Sequence, residues 1–405
     1  MSSSPRHLHL CVNAINAGVF GGAWRRPGTD PLAAYTIEHY ARIARKAEEG
    51  RLDAVFFADA MVHDPNPRWR PANNVEPTVV LARIAAQTER IGLVATLSSS
   101  YNDPVELSRR LGDLDYVSGG RFGWNVVTTA GAVAARNFGR DAEPDHGLRY
   151  ERAAEFTAQV VAGWASREAF ASPQGRPVIV QAGGSTNGKR LASRIGEVVF
   201  SGAQQMTAAR AFRDEIRDGA VGFGRCADDV VVLPGLSTVV GSTEAEAKAR
   251  REQLDELLPA AYARGRLEGQ LGLSLADVAD DEPIPTELLV EPEAAGGTQT
   301  LYRILRDIIE TERPTLGELL RRLGGGMGHR IVAGSPQQIA DDIERWFRAG
   351  AADGFNVMPD HLPSGLDDFV DHVVPELRRR GLFRREYDGA TLRDHLGLGV
   401  PPLLG

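Results

Sequence analysis

Several apolar runs in this chain end in side chains suited to holding a ligand. Ser118-Gly119-Gly120 makes a tight turn, and the run after Arg121 then delivers Asn125, Thr128 and Thr129. The run from Ala54 to Ala58 ends at Asp59, and that from Ile91 to Ala95 ends at Thr96. A carboxylate after five apolar residues is costly unless it is paired or serves a site. A threonine hydroxyl there can both donate and accept. In a parallel α/β barrel such groups sit at the C-terminal strand ends, around the mouth. The same spacing also fits buried strands closed by polar caps, with Asp59 as a helix cap.

Two further groups are chemically suggestive. His146 and Tyr150, four apart, share one side of a helix start. Gly183-Gly184-Ser185 lies between a short apolar run and a helical stretch that opens with Asn187. Glycines let backbone approach a ligand closely, and a helix N-terminus favours an anion such as phosphate. His7 and His9 raise a metal-hydrolase alternative. They sit at the start of the first strand, the wrong end of a barrel for catalysis, so no metal is expected. Cys11, further along that strand, reads as a small buried filler beside the cavity.

The elements that must position these groups alternate regularly. Strands are expected at Leu8 to Val12, Ala54 to Ala58, Ile91 to Ala95, within the stretch Ser118 to Thr129, and at Val178 to Gln181, Glu197 to Phe200, Val230 to Leu233 and Gly354 to Met358. Helical patterns lie between them, for example from Tyr35 to Gly50, where Ile37, Tyr40, Ile43, Ala44 and Ala47 share a face. Eight repeats predict a (β/α)8 TIM barrel, a single domain over residues 1–405. Residues 241–334 read as a helical insertion between strands seven and eight, with an acidic, proline-bearing stretch from Asp277 to Glu293. Leu366 to Arg380 reads as a final helix and residues 384–405 as a C-terminal tail.

Bulk properties narrow the function. The chain has 405 residues, 42% hydrophobic and 25% charged, with net charge −8, which disfavours a nucleic-acid binder. Its two cysteines, Cys11 and Cys226, make no disulfide framework. No run approaches about 18 apolar residues and no apolar leader core follows Met1, so a cytoplasmic protein away from membranes is expected.

Gly119-Gly120-Arg121-Phe122-Gly123-Trp124-Asn125-Val126-Val127-Thr128 resembles a stretch typical of the nitrilotriacetate monooxygenase group of bacterial-luciferase-like flavin enzymes. That group includes pristinamycin synthase and dibenzothiophene-sulfone monooxygenase components. Phe56-Phe57-Ala58-Asp59, Glu89 to Thr96, Arg149-Tyr150-Glu151-Arg152-Ala153, Ser172 to Pro177, and Ala352 to Asn356 resemble it in the same order, so the likeness spans nearly the whole chain.

The resemblance implies the oxygenase component of a two-component monooxygenase. It would take reduced FMN (FMNH2) from a separate NAD(P)H:flavin reductase and insert one atom of O2 into a small organic substrate through a flavin C4a-(hydro)peroxide. It implies flavin contacts at Asp59, Thr96, Asn125, His146, Tyr150, Gly184 and Ser185, and a homodimer or homotetramer. Phe20, Trp24 and Phe57 are the candidates for the substrate wall. Two departures stand out. Phe20 occupies a position where the family usually has histidine, and Trp164 is followed almost at once by Ser172, where relatives carry a longer loop. These keep two alternatives open, a deazaflavin-dependent oxidoreductase of the same superfamily and a non-catalytic flavin-binding subunit.

Overall fold

A computed structural model describes residues 7–62, 75–141, 146–166, 171–291, 299–326 and 328–399. Among the described residues there are nine strands: β1 His9–Asn13, β2 Ala54–Phe57, β3 Gly92–Ser98, β4 Phe122–Val127, β5 Val178–Ala182, β6 Val198–Ser201, β7 Val231–Val240, β8 Arg330–Gly334 and β9 Gly354–Pro359. Every ladder between them is parallel. The order β6-β5-β4-β3-β2-β1-β9-β7, closed by β6 against β7, makes an eight-stranded (β/α)8 TIM barrel. Helices such as Ile37–Glu49, Pro104–Val117 and Pro336–Arg348 cover its outside. Their starts follow local rules: Thr36, Asp103 and Ser335 accept backbone N–H groups as caps, and Pro104 and Pro336 stand in the first turn.

Two strand assignments differ from expectation. β7 does not end at Leu233 but continues through Pro234-Gly235 to Val240. Pro234 lies opposite Ser201, the last residue of β6, where that side of the ladder runs out and a missing N–H is tolerated. The upper half of β7 then pairs with β8, from Leu236 opposite Arg330 to Val240 opposite Gly334. β8 falls within the stretch read as purely helical, so the last barrel strand is the ninth in chain order.

The insertion holds more helix than its pattern announced: Glu244–Glu256, Ala260–Leu271, Gln299–Glu312 and Leu316–Gly326. It has its own apolar cluster, with Leu271, Leu275, Tyr302, Leu305, Leu316 and Leu319 buried together. The helix expected from Leu366 runs as Ser364–Asp368, a wider π turn at Phe369–Val373, and Val374–Arg379. Pro375 has no N–H to continue an α-helical ladder there.

Strand alternation separates two cores. Leu10, Val12, Val55, Phe57, Leu93 and Trp124 face outwards into the layer under the helices. Cys11, Ala54, Phe56, Val94, Val180, Phe200 and Leu233 meet one another inside the barrel. The C-terminal segment read as a tail closes the lower end. Its short helix Leu392–His395 brings Leu392, Leu396 and Leu398 into the inner core. Gly92 and Gly123 make room for Leu392: a Cβ on Gly92 would collide with Leu392 Cδ1, and one on Gly123 would lie 3.2 Å from Cδ2.

Charge is buried at this lower end. Glu197 is 2% exposed and pairs with Arg176 at 2.7 Å and Arg393 at 2.8 Å. Burial pushes its carboxyl up, but the two guanidiniums outweigh that and hold it below the usual carboxylate range. Asp53 accepts from Leu10 N–H at 2.6 Å and pairs with Arg384 and His9. His9 Nδ1 lies 3.1 Å from Asp53 Oδ1, so this histidine belongs to the floor network.

Candidate active site

The upper lumen is lined by polar side chains from several strands. Thr96 and Asn125 are register partners on β3 and β4, and Asn125 Nδ2 donates to Thr96 Oγ1 at 3.0 Å. One step higher, Thr129 Oγ1 donates to Ser98 Oγ at 2.8 Å. Asn13 ends β1, and Asn356 lies on β9 opposite Cys11. Asn13, Thr96, Asn125 and Asn356 are each 3 to 6% exposed. The Oδ1 atoms of Asn13, Asn125 and Asn356 are buried without a hydrogen-bond partner among the described residues. Buried acceptors of this kind are costly unless a ligand or water satisfies them, so their convergence marks a site.

Asp59 follows β2 at the same end, half-buried and engaged in polar contacts. Arg149 ties the helix His146–Ala165 to the exit of β4, with Nη1 3.5 Å from the Thr129 carbonyl, and so brings the half-buried Tyr150 near that exit. The His146 side chain lies outside the described residues. After β5, Ser185 caps the helix Thr186–Ile195, its Oγ accepting from Gly188 N–H at 3.1 Å. A Cβ on Gly183 would lie 2.9 Å from Gln181 Nε2 and 3.3 Å from Gly188 Cα, so the turn is drawn tight over the helix start. Gly184 is half-buried in it. Lys189, on the helix that follows, is held by Glu215 at 2.6 Å.

The three wall candidates separate. Phe20 packs in an apolar roof with Val19, Ala23, Val239, Leu254 and Met358, joining the loop after β1 to the insertion and the upper ends of β7 and β9. Trp24 borders the same cluster, with Arg25 4.7 Å above its ring. Phe57 does not face the lumen. It lies on the outer side of β2 against Tyr40, ring centroids 5.2 Å apart, and Phe56 takes the inner place, edge-on to Phe200 at 4.8 Å. A two-residue period makes neighbours on a strand face opposite ways, and the choice between two adjacent phenylalanines was off by one.

One residue escaped sequence reasoning altogether. His329, in the Gly-rich end of the insertion, packs its ring over Gly235 of β7, where a Cβ would collide with Nδ1. Gly235 is the register partner of Asn356, so the imidazole reaches the lumen wall beside that amide. Burial pushes the His329 imidazole down to about 4, and its Nδ1 has no partner among the described residues. It is neutral at pH 7 and serves as an acceptor or donor rather than a cation. Asn13, the last residue of β1, was legible by the rule that marked Thr96; Asn356 lies inside β9, and nothing local marks it or His329.

Cys11 lines the lower lumen at 2% exposure, and burial pushes its thiol well up. Among the described residues no group of three or more His, Cys, Asp or Glu is placed to hold a metal ion. No helix among them is long and apolar enough to cross a membrane.

Fold and site together define a parallel barrel whose C-terminal mouth carries buried polar side chains between a sealed floor and an apolar roof. The family model for luciferase-like monooxygenases matches residues 20–353. Nitrilotriacetate monooxygenase component A of Aminobacter aminovorans is 40% identical, over 95% of this chain and 95% of that one. The solved EDTA monooxygenase from Chelativorans sp. BNC1 superposes with a TM-score of 0.80 at 35% identity, covering 98% of this chain and all of that one. A riboflavin lyase solved with modified FMN and riboflavin gives 0.82 at 28% identity, covering 96% of each chain. The chain belongs to the luciferase-like monooxygenase family and is by class a flavin-dependent monooxygenase.

Proposed function

We propose that this protein is the oxygenase component of a two-component system. It receives FMNH2 from a separate NAD(P)H:flavin reductase and uses O2 to oxygenate a small organic molecule. The observation that carries the reading is the Thr96–Asn125 pair, whose remaining Oδ1 is buried and unpartnered in the upper lumen. It lies at the same end of the barrel as the Ser185-capped helix start. A flavin can use both features: acceptors for ring N–H groups and a helix N-terminus for its phosphate.

The residues fit that group. Asn125, Thr96 and Asp59 would hold the ring edge, and Gly184, Ser185 and the N–H groups behind them the phosphate, with Tyr150 and His146 alongside. Reduced flavin, when bound, supplies the electrons that activate O2, one atom passing to the substrate and the other leaving as water. The chain's own part is to bind, orient and exclude water. Leu392, Leu396 and Leu398 seal the floor, and the Phe20–Met358 cluster covers the roof. His329, a neutral imidazole, orients a hydrogen-bonding group on substrate or flavin through Nδ1, and its low basicity makes it a poor proton store at pH 7.

Anaerobic titration with FMNH2, followed by admission of air, tests the reading. Saturable binding and oxygen uptake slower than that of free reduced flavin are expected, with no NAD(P)H oxidation by the protein alone. Absence of binding, or reoxidation at the free-flavin rate, would overturn it.

A further inference from the structure

Two sulfur-bearing side chains stand on the inner wall of the barrel among the described residues, Cys11 and Met358, and the reading above uses neither. Phe355 and Val357 face outwards into the layer under the helices. The two-residue period of a strand therefore turns Asn356 and Met358 inwards. Cys11 lies opposite Asn356 in the register of β1 and β9. Met358 lies opposite Ser237 of β7, one inward step nearer the mouth. There it closes the roof, 3% exposed, against Phe20, Val239 and Leu254.

The two sulfurs differ as nucleophiles. A thiol reacts with peroxides as its thiolate, and burial pushes the Cys11 thiol well up, so it stays protonated and inert in the lower lumen. A thioether keeps a polarisable lone pair at every pH and needs no base. Position favours Met358 as well. Round the closed ring β9 is separated from β4 by β1, β2 and β3 on one side and by β7, β6 and β5 on the other, so the two strands face each other across the lumen. Met358 thus stands opposite the strand that carries Asn125, above the level of Asn356 and Gly235.

We propose that Met358 is a site of self-oxidation: with no organic substrate in the lumen, peroxide formed there converts its thioether to the sulfoxide. This rests on the oxygenase reading of the same site. O2 that takes two electrons and two protons from bound reduced flavin becomes hydrogen peroxide, which is the oxidant. The Met358 sulfur lone pair attacks one peroxide oxygen, the O–O bond breaks, an S–O bond forms, and the other oxygen leaves as water with both protons. The thioether is oxidised by two electrons and the peroxide is reduced by two. The new oxygen then stands among Phe20, Val239 and Leu254, where an unpartnered dipole is costly, and the roof loosens.

The test sets local oxidation against bulk oxidation. The other methionines among the described residues, Met61 and Met206, are half-buried, so dissolved peroxide reaches them before Met358. The protein is turned over with a flavin reductase, NADH, FMN and air, without organic substrate and with excess catalase, and its peptides are weighed for an added oxygen. Sulfoxide at Met358 at least about fivefold above that at Met61 and Met206 is expected, and none without FMN. Hydrogen peroxide added without flavin or catalase should reverse the order. The oxidised protein should melt lower, whereas Met358→Leu, which nearly conserves roof volume, should melt at one temperature before and after turnover. Met358 left unmodified while FMNH2 still binds, oxidation abolished by catalase, or the same order in both arms would overturn the proposal and leave the oxygenase reading standing. Failure to bind FMNH2, with reoxidation at the free-flavin rate, would overturn both.

Discussion

Asn125 and Arg121 stand four residues apart in one motif and do opposite jobs. Arg121 is 3% exposed and spends its guanidinium on the carbonyls of Ser118, Ala85, Thr88 and Ile91 and on Thr88 Oγ1, at 2.6 to 3.0 Å. It ties a helix end to the start of β4. Asn125 instead keeps an acceptor free. Asn125→Ala is expected to weaken FMNH2 binding about tenfold, the worth of one net hydrogen bond of roughly 1.4 kcal/mol, with little change in melting temperature. Anaerobic fluorescence titration beside thermal melts checks this. Glu197 gives the contrasting case at the floor. Glu197→Gln leaves Arg176 and Arg393 poorly compensated, and a loss of about 3–5 kcal/mol is expected in urea unfolding at pH 7. Because its folded pKa lies below the ordinary value, its contribution is complete above the ordinary carboxylate range and fades as pH falls through the folded pKa. The variant should therefore show a flatter acid limb of stability, and an unchanged limb would count against this account.

At the scale of elements, the helix Leu392–His395 matters more than its length suggests. Leu392 is fully buried between Gly92 and Gly123 and closes the barrel from below. Leu392→Ala should cost about 2–5 kcal/mol, as for other large-to-small changes in a packed interior, and should lower the melting temperature without touching the upper lumen. The pairing of β7 with β8 is the other decisive contact. It carries the insertion's end across the mouth and sets His329 over Gly235. Gly235→Val removes the space that ring occupies. The substitution is expected to reduce coupled product formation more than flavin affinity, since the displaced imidazole lies on the β7–β9 side and Asn125 on β4. Parallel assays of product, peroxide and FMNH2 binding distinguish the two effects.

For the whole molecule, ligand binding and stability are linked. A flavin bound to the folded barrel and not to the unfolded chain raises unfolding free energy by about 2.7 kcal/mol at a hundred times its dissociation constant. FMN should therefore raise the melting temperature in a concentration-dependent way, and Asn125→Ala should blunt the rise. The barrel itself was legible in the sequence, because alternating apolar strands and amphipathic helices can bury their faces in few other ways. So was Ser185 as the cap of a helix, since a polar residue at a helix start declares its position locally, whereas Thr96 and Asn125 stand inside β3 and β4 rather than at their ends. The rest depended on contacts between distant residues. Which of Phe56 and Phe57 faced inwards turned on one step of strand register. The run through Pro234 was decided by where β6 stopped, and the C-terminal plug by two glycines some 300 and 269 residues before Leu392. His329 entered the lumen wall only because β8 docks on β7. Local patterning determines which elements form and which faces they bury; tertiary packing alone decides which side chains, far apart in the chain, come to share one cavity.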